Sequence, residues 1–197
     1  MLIASIDAFV ALLVLGTVAV RFPETVYDVT GARLRGGATR IAIVFTQSGR
    51  SRQLAALLAV AFVIFAVARW PLWIPLAVAL EQLVSQAVVE AIKRVFRRVR
   101  PDRWLHREER GYSYPSGHAS TAVTFYGAWA AVAWLSPLPL YVRLALTTLL
   151  VLWGLGVAWS RLALAAHYLT DVLGGVLFGL GWLLLVFTLL SKAALIG

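Results

Sequence analysis

Residues 1–20 read MLIASIDAFVALLVLGTVAV, an apolar run in which Asp7 is the single charged residue. About 20 apolar residues are enough for a helix to cross the hydrocarbon core of a bilayer. No basic residue precedes the run and no Ala-x-Ala-like site closes it, so we expect a retained span rather than a cleaved signal peptide. This stretch favours a membrane protein.

The composition of the whole 197-residue chain also favours lipid as its solvent. Hydrophobic residues make up 61% and charged residues 14%, with a mean hydropathy of +0.83, whereas soluble proteins average about 45–50% and about 25%. The 18 Lys and Arg against 9 Asp and Glu give a net charge of +9. In so apolar a chain, this charge favours anionic headgroups or a phosphorylated substrate over nucleic acid. The absence of Cys excludes a disulfide framework, a thiol nucleophile and a Cys-based metal site.

Six segments have the length and apolarity of membrane helices. They are approximately residues 2–20, 54–68, from after Pro71 to residue 92, 118–135, 141–159 and 171–190. We therefore predict an all-α, polytopic six-span bundle, with residues 1–197 as one domain. Three polar connections, residues 21–53, 93–115 and 160–170, then lie on one side of the membrane. Residues 41–53 could form an interfacial helix within the first connection. We expect the active site on this side, because all the candidate chemistry lies in or beside the other two.

The first candidate block is KRVFRRVRP, in which Lys93, Arg100 and Pro101 follow a Lys-x6-Arg-Pro spacing. If the third helix continues to Arg100, the two cations share one face two turns apart, and Pro101 ends the helix. Such a pair suits an anion with several oxygens, to which Arg presents a bidentate fork. The simpler alternative is a basic cluster that holds anionic lipid. We expect that role for three neighbouring residues, Arg94, Arg97 and Arg98.

The second block is YPSGH, with Pro115, Ser116, Gly117 and His118 at the start of the fourth predicted helix. A helix N-terminus binds anions through its dipole and its unpaired N–H groups. The serine hydroxyl adds a donor, and the histidine can supply a proton near neutral pH. Alternatively, Ser116 only caps the helix and His118 is an interfacial residue.

The third block is SRLALAAHYLTD, which contains Ser160, Arg161, His167 and Asp171. On a helix, residues four apart meet, so Asp171 could accept a hydrogen bond from one imidazole nitrogen of His167 and aim the other as a nucleophile. Arg161 adds a fixed positive charge. The alternative is a polar tie between helices, but ionisable groups within membrane segments are usually functional.

Together, and in this order between hydrophobic helices, the three blocks resemble the signature of the type 2 phosphatidic acid phosphatase family. Every signature position matches, and the resemblance covers residues 93–171 in detail. The membrane branch of the family includes bacterial phosphatidylglycerophosphate and undecaprenyl pyrophosphate phosphatases. Soluble acid phosphatases and vanadium haloperoxidases share the signature.

The resemblance implies a lipid phosphatase that uses no metal and no cofactor. His167 would attack phosphorus and form a phosphohistidine, Asp171 would orient it, and His118 would protonate the leaving oxygen. The phosphoryl oxygens would be held by five residues: Lys93, Arg100, Ser116, Gly117 and Arg161. Pro101, Pro115 and Ser160 are the structural positions of the signature. No carboxylate cluster suited to a metal ion accompanies these residues in the sequence.

The substrate stays open, because these residues contact only the phosphate. Polyprenyl pyrophosphate, phosphatidic acid, phosphatidylglycerophosphate and a lipid A-type phosphate are all candidates. The expected partners are a lipid phosphate and membrane lipids, and no nucleic acid. Alternative functions are a haloperoxidase, a lipid-binding or transport protein, and a lipid phosphotransferase that retains the same pocket.

Two indications disagree about which face of the membrane carries the active site. The predicted active-site side carries 15 of the 18 basic residues, all except Arg69, Arg143 and Lys192. The positive-inside rule would place that side in the cytoplasm. Most bacterial membrane members of the family face the other way, and basic loops that bind headgroups would weaken the rule. We therefore expect an integral, multi-pass protein with an extracytoplasmic active site.

Three further ionisable residues lie near the blocks. His106 is expected at the surface or in contact with headgroups. Glu81 and Glu90 lie in the third predicted span and would be either buried polar ties or partners of Lys93 and Arg97.

Overall fold

The computed structural model describes residues 1–22, 37–101 and 109–193, which form seven helices. The helices are α1 (Leu2–Arg21), α2 (Gly37–Ser48), α3 (Ser51–Val67), α4 (Trp73–Phe96), α5 (Gly117–Leu135), α6 (Leu140–Ala163) and α7 (Leu169–Lys192). No strand occurs in these described ranges. The prediction of an all-α protein is confirmed.

Four helices, α1, α4, α6 and α7, are long and apolar enough to cross a membrane. The helices α2 and α3 meet at a bend of 62° and could together form a fifth, broken span. The predicted count of six spans is therefore not confirmed. α3 has only 17 residues, and α5 carries polar residues such as Ser120, Thr121 and Thr124. These three are buried among other helices, where they do not have to face lipid.

The outer faces of the helices present large apolar side chains to their surroundings. Ile3 on α1, Val67 on α3, Leu83 on α4 and Leu155 on α6 are each at least 60% exposed. Soluble proteins rarely expose apolar surface on this scale. The exposed faces therefore identify an integral membrane protein.

Close contacts between α5 and α7 bring the second and third sequence blocks together. A Cβ on Gly175 would lie 2.5 Å from the carbonyl oxygen of Ser116, and one on Gly179 would lie 2.5 Å from Cβ of Val123. Only glycine allows the backbones to approach so closely. As a result, the N-terminal half of α7 packs directly against the N-terminal half of α5.

Helix α4 extends beyond the predicted end at residue 92 but does not reach Arg100. Its last residue is Phe96, and Arg97 adopts the left-handed conformation that terminates it, with φ 48°. The condition under which Lys93 and Arg100 would share one helical face, a helix that continues to Arg100 and ends at Pro101, is therefore not met. Beyond Arg97 the chain turns inward, and the carbonyl of Arg98 accepts a hydrogen bond from the N–H of Ser113 at 2.8 Å.

The segment predicted as one interfacial helix, residues 41–53, is divided between α2 and α3. The break lies at Gly49, where a Cβ would come within 2.8 Å of the imidazole Cδ2 of His118. Ala42 and Thr46 of α2 are completely buried, and α2 packs against α6. The bend therefore places the start of α3 beside the second sequence block.

Candidate active site

A cavity of about 260 Å³ opens at the end of the bundle where α4 and α6 end and α5 and α7 begin. Five of the predicted site residues line it: Lys93, Arg100, Gly117, His118 and His167. Although α4 does not reach Arg100, the turn after Arg97 still directs that residue to the cavity. The structure thus brings residues from all three sequence blocks into one space.

The imidazole of His167 is held between a carboxylate and a guanidinium. Its Nδ1 lies 3.3 Å from Oδ2 of Asp171, and its Nε2 lies 2.9 Å from an Nη of Arg100. Because the guanidinium can only donate, Nε2 must be the accepting nitrogen and Nδ1 must carry the proton. The lone pair expected of a nucleophile is therefore on Nε2, on the side of Arg100.

His167 is 1% exposed. Burial disfavours the charged imidazolium and lowers the pKa of His167 to about 4. The hydrogen bond to Asp171 opposes this effect, while the charges of Arg100 and Arg161 add to it. The ring is accordingly neutral at pH 7, and a neutral imidazole is the form that can attack an electrophile.

Asp171 is itself fixed by three donors besides His167. An Nη of Arg98 lies 2.6 Å from Oδ1, the backbone N–H of Tyr168 donates to Oδ2 at 2.9 Å, and the hydroxyl of Ser113 also donates to Oδ2. Arg98 is buried and stacks over the Tyr168 ring at 4.3 Å. The prediction that Arg98 contacts headgroups is therefore wrong, because its guanidinium is needed to balance a buried carboxylate.

The other basic residues of the first block either pair with an acidic residue or face outward, and the two glutamates of α4 have different roles. The buried Nζ of Lys93 lies 2.5 Å from Oε1 of Glu90. Glu81, in contrast, accepts a hydrogen bond from Trp182 at 3.2 Å and is a buried polar tie between α4 and α7. The remaining basic residues of the block, Arg94 and Arg97, are exposed, and their predicted contact with lipid stays a prediction.

Glu109, which belongs to none of the three sequence blocks, lies between two of the predicted phosphate-binding arginines. Its Oε2 is 2.5 Å from an Nη of Arg161 and 3.4 Å from an Nη of Arg100. Burial is the largest single effect and would raise the pKa of Glu109. The charge and hydrogen bond of Arg161, together with His118 and His167, outweigh it and lower the pKa to about 2. A carboxylate thus occupies the position expected for phosphoryl oxygens. No spacing or composition signal distinguishes Glu109 from Glu108 beside it.

Arg161 is almost completely buried at the end of α6, at 1% exposure. Besides Glu109, its guanidinium donates to the hydroxyl of Thr46 on α2. Thr46 was not singled out by the sequence, because nothing in the pattern of α2 indicates which face meets α6. The pairing with Thr46 fixes Arg161 behind Glu109 as seen from the cavity.

The second block begins α5 as predicted. Ser116 is the N-cap residue, whose Oγ accepts from the N–H of Ala119 at 3.4 Å, and its own N–H donates to the carbonyl of Asp171 at 2.9 Å. Nε2 of His118 is buried and has no hydrogen-bond partner among the described residues. A ring nitrogen of His118 is thus left available to a bound molecule.

The structural positions of the signature are buried. Pro101 and Pro115 lie in the protein interior, and the Ser160 hydroxyl donates to the carbonyl of Val157 at 2.6 Å within its own helix. His106 lies outside the described residues. Within those residues, no group of three or more His, Cys, Asp or Glu side chains could hold a metal ion. The prediction of a reaction without metal or cofactor is left to experiment.

Comparison with known proteins decides the family. The model of the PAP2 superfamily matches residues 70–194, which is more than half of the chain and includes all three sequence blocks. The chain belongs to the PAP2 superfamily. The resemblance found in the sequence is thereby confirmed.

The fold of this PAP2 protein is similar to a solved crystal structure. That structure is described as the first transmembrane PAP2 type phosphatidylglycerolphosphate phosphatase from Bacillus subtilis. The two chains superpose with a TM-score of 0.82 over 95% of this chain and 96% of the other, at 22% sequence identity. At this identity, the comparison supports a shared transmembrane helical fold.

Proposed function

We propose that this PAP2 protein is a lipid phosphatase that works through a phosphohistidine on His167, without a metal ion. One observation carries the proposal. Nε2 of His167 lies 2.9 Å from an Nη of Arg100, from which it can only accept a hydrogen bond, in a cavity that also contains His118 and Lys93. Phosphoryl transfer requires a nucleophile, an acid and fixed positive charge, and this cavity supplies all three.

In the proposed reaction, the Nε2 lone pair of His167 attacks phosphorus while the bond to the leaving oxygen breaks. The leaving oxygen keeps the electron pair of that bond and takes a proton from His118. Burial and the charge of Arg161 lower the pKa of His118 in the free protein, so the negative charge of the bound phosphate would have to hold that proton on the ring. Water then attacks phosphorus and gives a proton to His118, the P–N bond breaks with its electron pair returning to Nε2, and inorganic phosphate leaves with both histidines restored. Charge on the other oxygens would be balanced by the three basic residues Lys93, Arg100 and Arg161.

The phosphoryl group would take the place that Glu109 occupies in the free protein. Arg100 would exchange its contacts with Glu109 and with Nε2 of His167 for contacts with phosphoryl oxygens. The apolar outer faces of the helices would accommodate the acyl or isoprenoid tail in the bilayer, so the substrate is a lipid phosphate or pyrophosphate.

The activity test is phosphate release by the purified protein in detergent with EDTA, from a panel of lipid phosphates. His167→Gln is expected to lower the rate by at least about 10³-fold, because it removes the nucleophile. Arg143→Gln, at the start of α6 and away from the cavity, is the control and should retain activity. Release that requires a metal, or that persists in His167→Gln, would contradict the mechanism.

Trapping the intermediate tests the covalent step directly. Rapid quenching with a ³²P-labelled lipid should leave an acid-labile, alkali-stable label on the wild-type protein and none on His167→Gln. Label that is found on another residue would refute the assignment of His167.

We further propose that the active site faces the extracytoplasmic side. Because the chain has no Cys, a single introduced thiol can report orientation. Tyr112→Cys lies in the exposed segment beside the active site, whereas Tyr141→Cys lies at the start of α6, at the other end of the bundle. An impermeant thiol reagent should label the first variant in intact cells and the second only after permeabilisation. The reverse pattern would place the site in the cytoplasm.

A further inference from the structure

Arg50 is a cation of the cavity that the three sequence blocks do not include. It is the residue before α3, lines the cavity beside Gly49 and Ser51, and is half-buried. The other two basic residues that line the cavity have ion-pair partners: Lys93 pairs with Glu90, and Arg100 shares Glu109 with Arg161. Within the described residues, the guanidinium of Arg50 has neither a hydrogen bond nor an ion pair. A positive charge at this cavity is therefore left for a ligand.

Arg50 lies on the His118 side of the cavity. The neighbouring backbone at Gly49 packs against the imidazole of His118, since a Cβ there would be 2.8 Å from Cδ2. Arg100 instead contacts His167. If His167 attacks phosphorus and His118 protonates the oxygen that leaves, Arg50 is beside the leaving group and not beside the attacking nitrogen.

We propose that Arg50 binds a second phosphate group, which the substrate carries on the leaving side of the bond that breaks. This inference rests on the proposed function and narrows its substrate class. Two kinds of lipid share this chemistry: an isoprenoid diphosphate, in which the second phosphate is directly attached, and a phosphomonoester whose alcohol also carries a phosphodiester. Phosphatidic acid has no such group.

The charge balance of the reaction explains why a cation is needed there. With a diphosphate, His167 forms a bond to the terminal phosphorus, and the bond from that phosphorus to the bridging oxygen breaks. The electron pair stays on the bridging oxygen, which leaves as part of an anionic lipid monophosphate, with a proton supplied by His118. Water later releases the terminal phosphate from His167. The leaving lipid monophosphate stays anionic after His118 protonates the bridging oxygen, and a fixed cation beside that charge stabilises the transition state. The leaving alcohol of a monophosphate is neutral once it is protonated, so it presents no anionic group to Arg50.

The chain provides a matched control for Arg50. Arg52 follows two residues later on the first turn of α3, carries the same charge, is exposed, and does not line the cavity. A general effect of positive charge on binding to anionic micelles would appear in both Arg50→Gln and Arg52→Gln. An effect of a second phosphate subsite would appear only in Arg50→Gln.

The experiment compares kcat/KM for four substrates in detergent: an isoprenyl diphosphate, the monophosphate of the same alcohol, phosphatidylglycerophosphate and phosphatidic acid. Hydrogen bonds to charged groups are among the stronger ones. Arg50→Gln is therefore expected to lower kcat/KM about 10- to 100-fold for at least one substrate with two phosphate groups, and by less than about 3-fold for both monophosphates. Arg50→Lys should recover part of the loss, and Arg52→Gln should resemble wild type.

The pattern of losses distinguishes the two sources of the second phosphate. A loss confined to the isoprenyl diphosphate indicates a directly attached group, and a loss confined to phosphatidylglycerophosphate indicates a phosphodiester further along. Equal losses for all substrates in both Arg50→Gln and Arg50→Lys, or no loss for any, would overturn the subsite but leave the phosphatase intact. If wild type releases no phosphate from any of the four lipids, the proposed function and the subsite fail together.

Discussion

Replacement of Glu109 by glutamine is expected to strengthen the binding of phosphate, because it removes a carboxylate from between Arg100 and Arg161. The size of the effect follows from the structure. Neighbouring positive charge lowers the pKa of Glu109 from 4.5 to about 2 in spite of burial, and one pKa unit corresponds to about 1.4 kcal/mol. The folded protein therefore favours the charged over the protonated form of Glu109 by about 3 kcal/mol, and a phosphate that takes its place between the arginines forfeits part of this stabilisation.

The assay is the inhibition constant of inorganic phosphate against hydrolysis of a lipid phosphate. We expect this constant to fall about 10- to 100-fold in Glu109→Gln, since about 1.4 kcal/mol corresponds to a factor of ten. Glu90→Gln is the control. It also removes a carboxylate from the cavity, but the Glu90 side chain is 56% exposed, so solvent screens its pairing with Lys93. An effect below about 3-fold is expected there.

Thermal unfolding provides a second test of the Glu109→Gln variant. Without phosphate, Glu109→Gln should unfold at a lower temperature than wild type, because Arg161 is left buried without a carboxylate. Since the pKa of Glu109 is lower in the folded than in the unfolded protein, its stabilisation is present above about pH 4.5 and is lost as the pH falls toward 2. The difference between the two proteins should shrink in that window. An inhibition constant that is unchanged or higher in Glu109→Gln would refute the reasoning.

Three further predictions follow from the geometry. Arg98→Met should lower kcat by about 10²-fold with little change in KM, because Arg98 balances Asp171 without lining the cavity. Arg97→Met, at the exposed neighbouring residue, should have a kcat near that of wild type. A similar loss in both variants would contradict a specific role of Arg98 at Asp171. His167 should stay neutral as the pH falls to about 4, because burial disfavours its charged form; an NMR titration of the three histidines checks this, and a midpoint near 6.5 would contradict it. Gly175→Ala should lower the free energy of unfolding by about 1–3 kcal/mol and reduce activity, since its Cβ would lie 2.5 Å from the Ser116 carbonyl oxygen. In Gly127→Ala, the nearest atom to the new Cβ is a flexible leucine methyl at 3.1 Å. Thermal unfolding should therefore show a smaller loss of stability in Gly127→Ala than in Gly175→Ala.

Several features could be predicted from the sequence because they depend on near neighbours in the chain. The apolar runs predicted helices in a membrane, and six of the seven observed helices overlap the six predicted segments. The predicted contact between His167 and Asp171 is observed. The reason given for it is wrong, because His167 precedes α7 and only Asp171 lies on the helix. Ser116 at the start of an apolar run predicted the N-cap of α5.

The number of membrane-spanning helices could not be predicted from apolar runs, because a helix needs apolar residues throughout only where its side chains face lipid. Helix α5 packs against α4, α6 and α7, so Thr121 and Thr124 are bonded to side chains of α4 instead of lying in lipid. Hydropathy along the chain does not contain this information, because it does not tell which helix lies at the centre of a bundle.

The partners of the candidate site were decided by the tertiary structure alone. Arg94, Arg97 and Arg98 are alike in the sequence, and Arg98 turns inward only because α4 ends at Phe96. Its bond to Asp171 joins residues 73 positions apart, and that of Glu109 to Arg161 joins residues 52 apart. Such contacts leave no periodic trace in a single sequence. The sequence therefore determined the membrane environment and the reactive groups, whereas packing between distant segments determined which charges neutralise one another and which remain for the substrate.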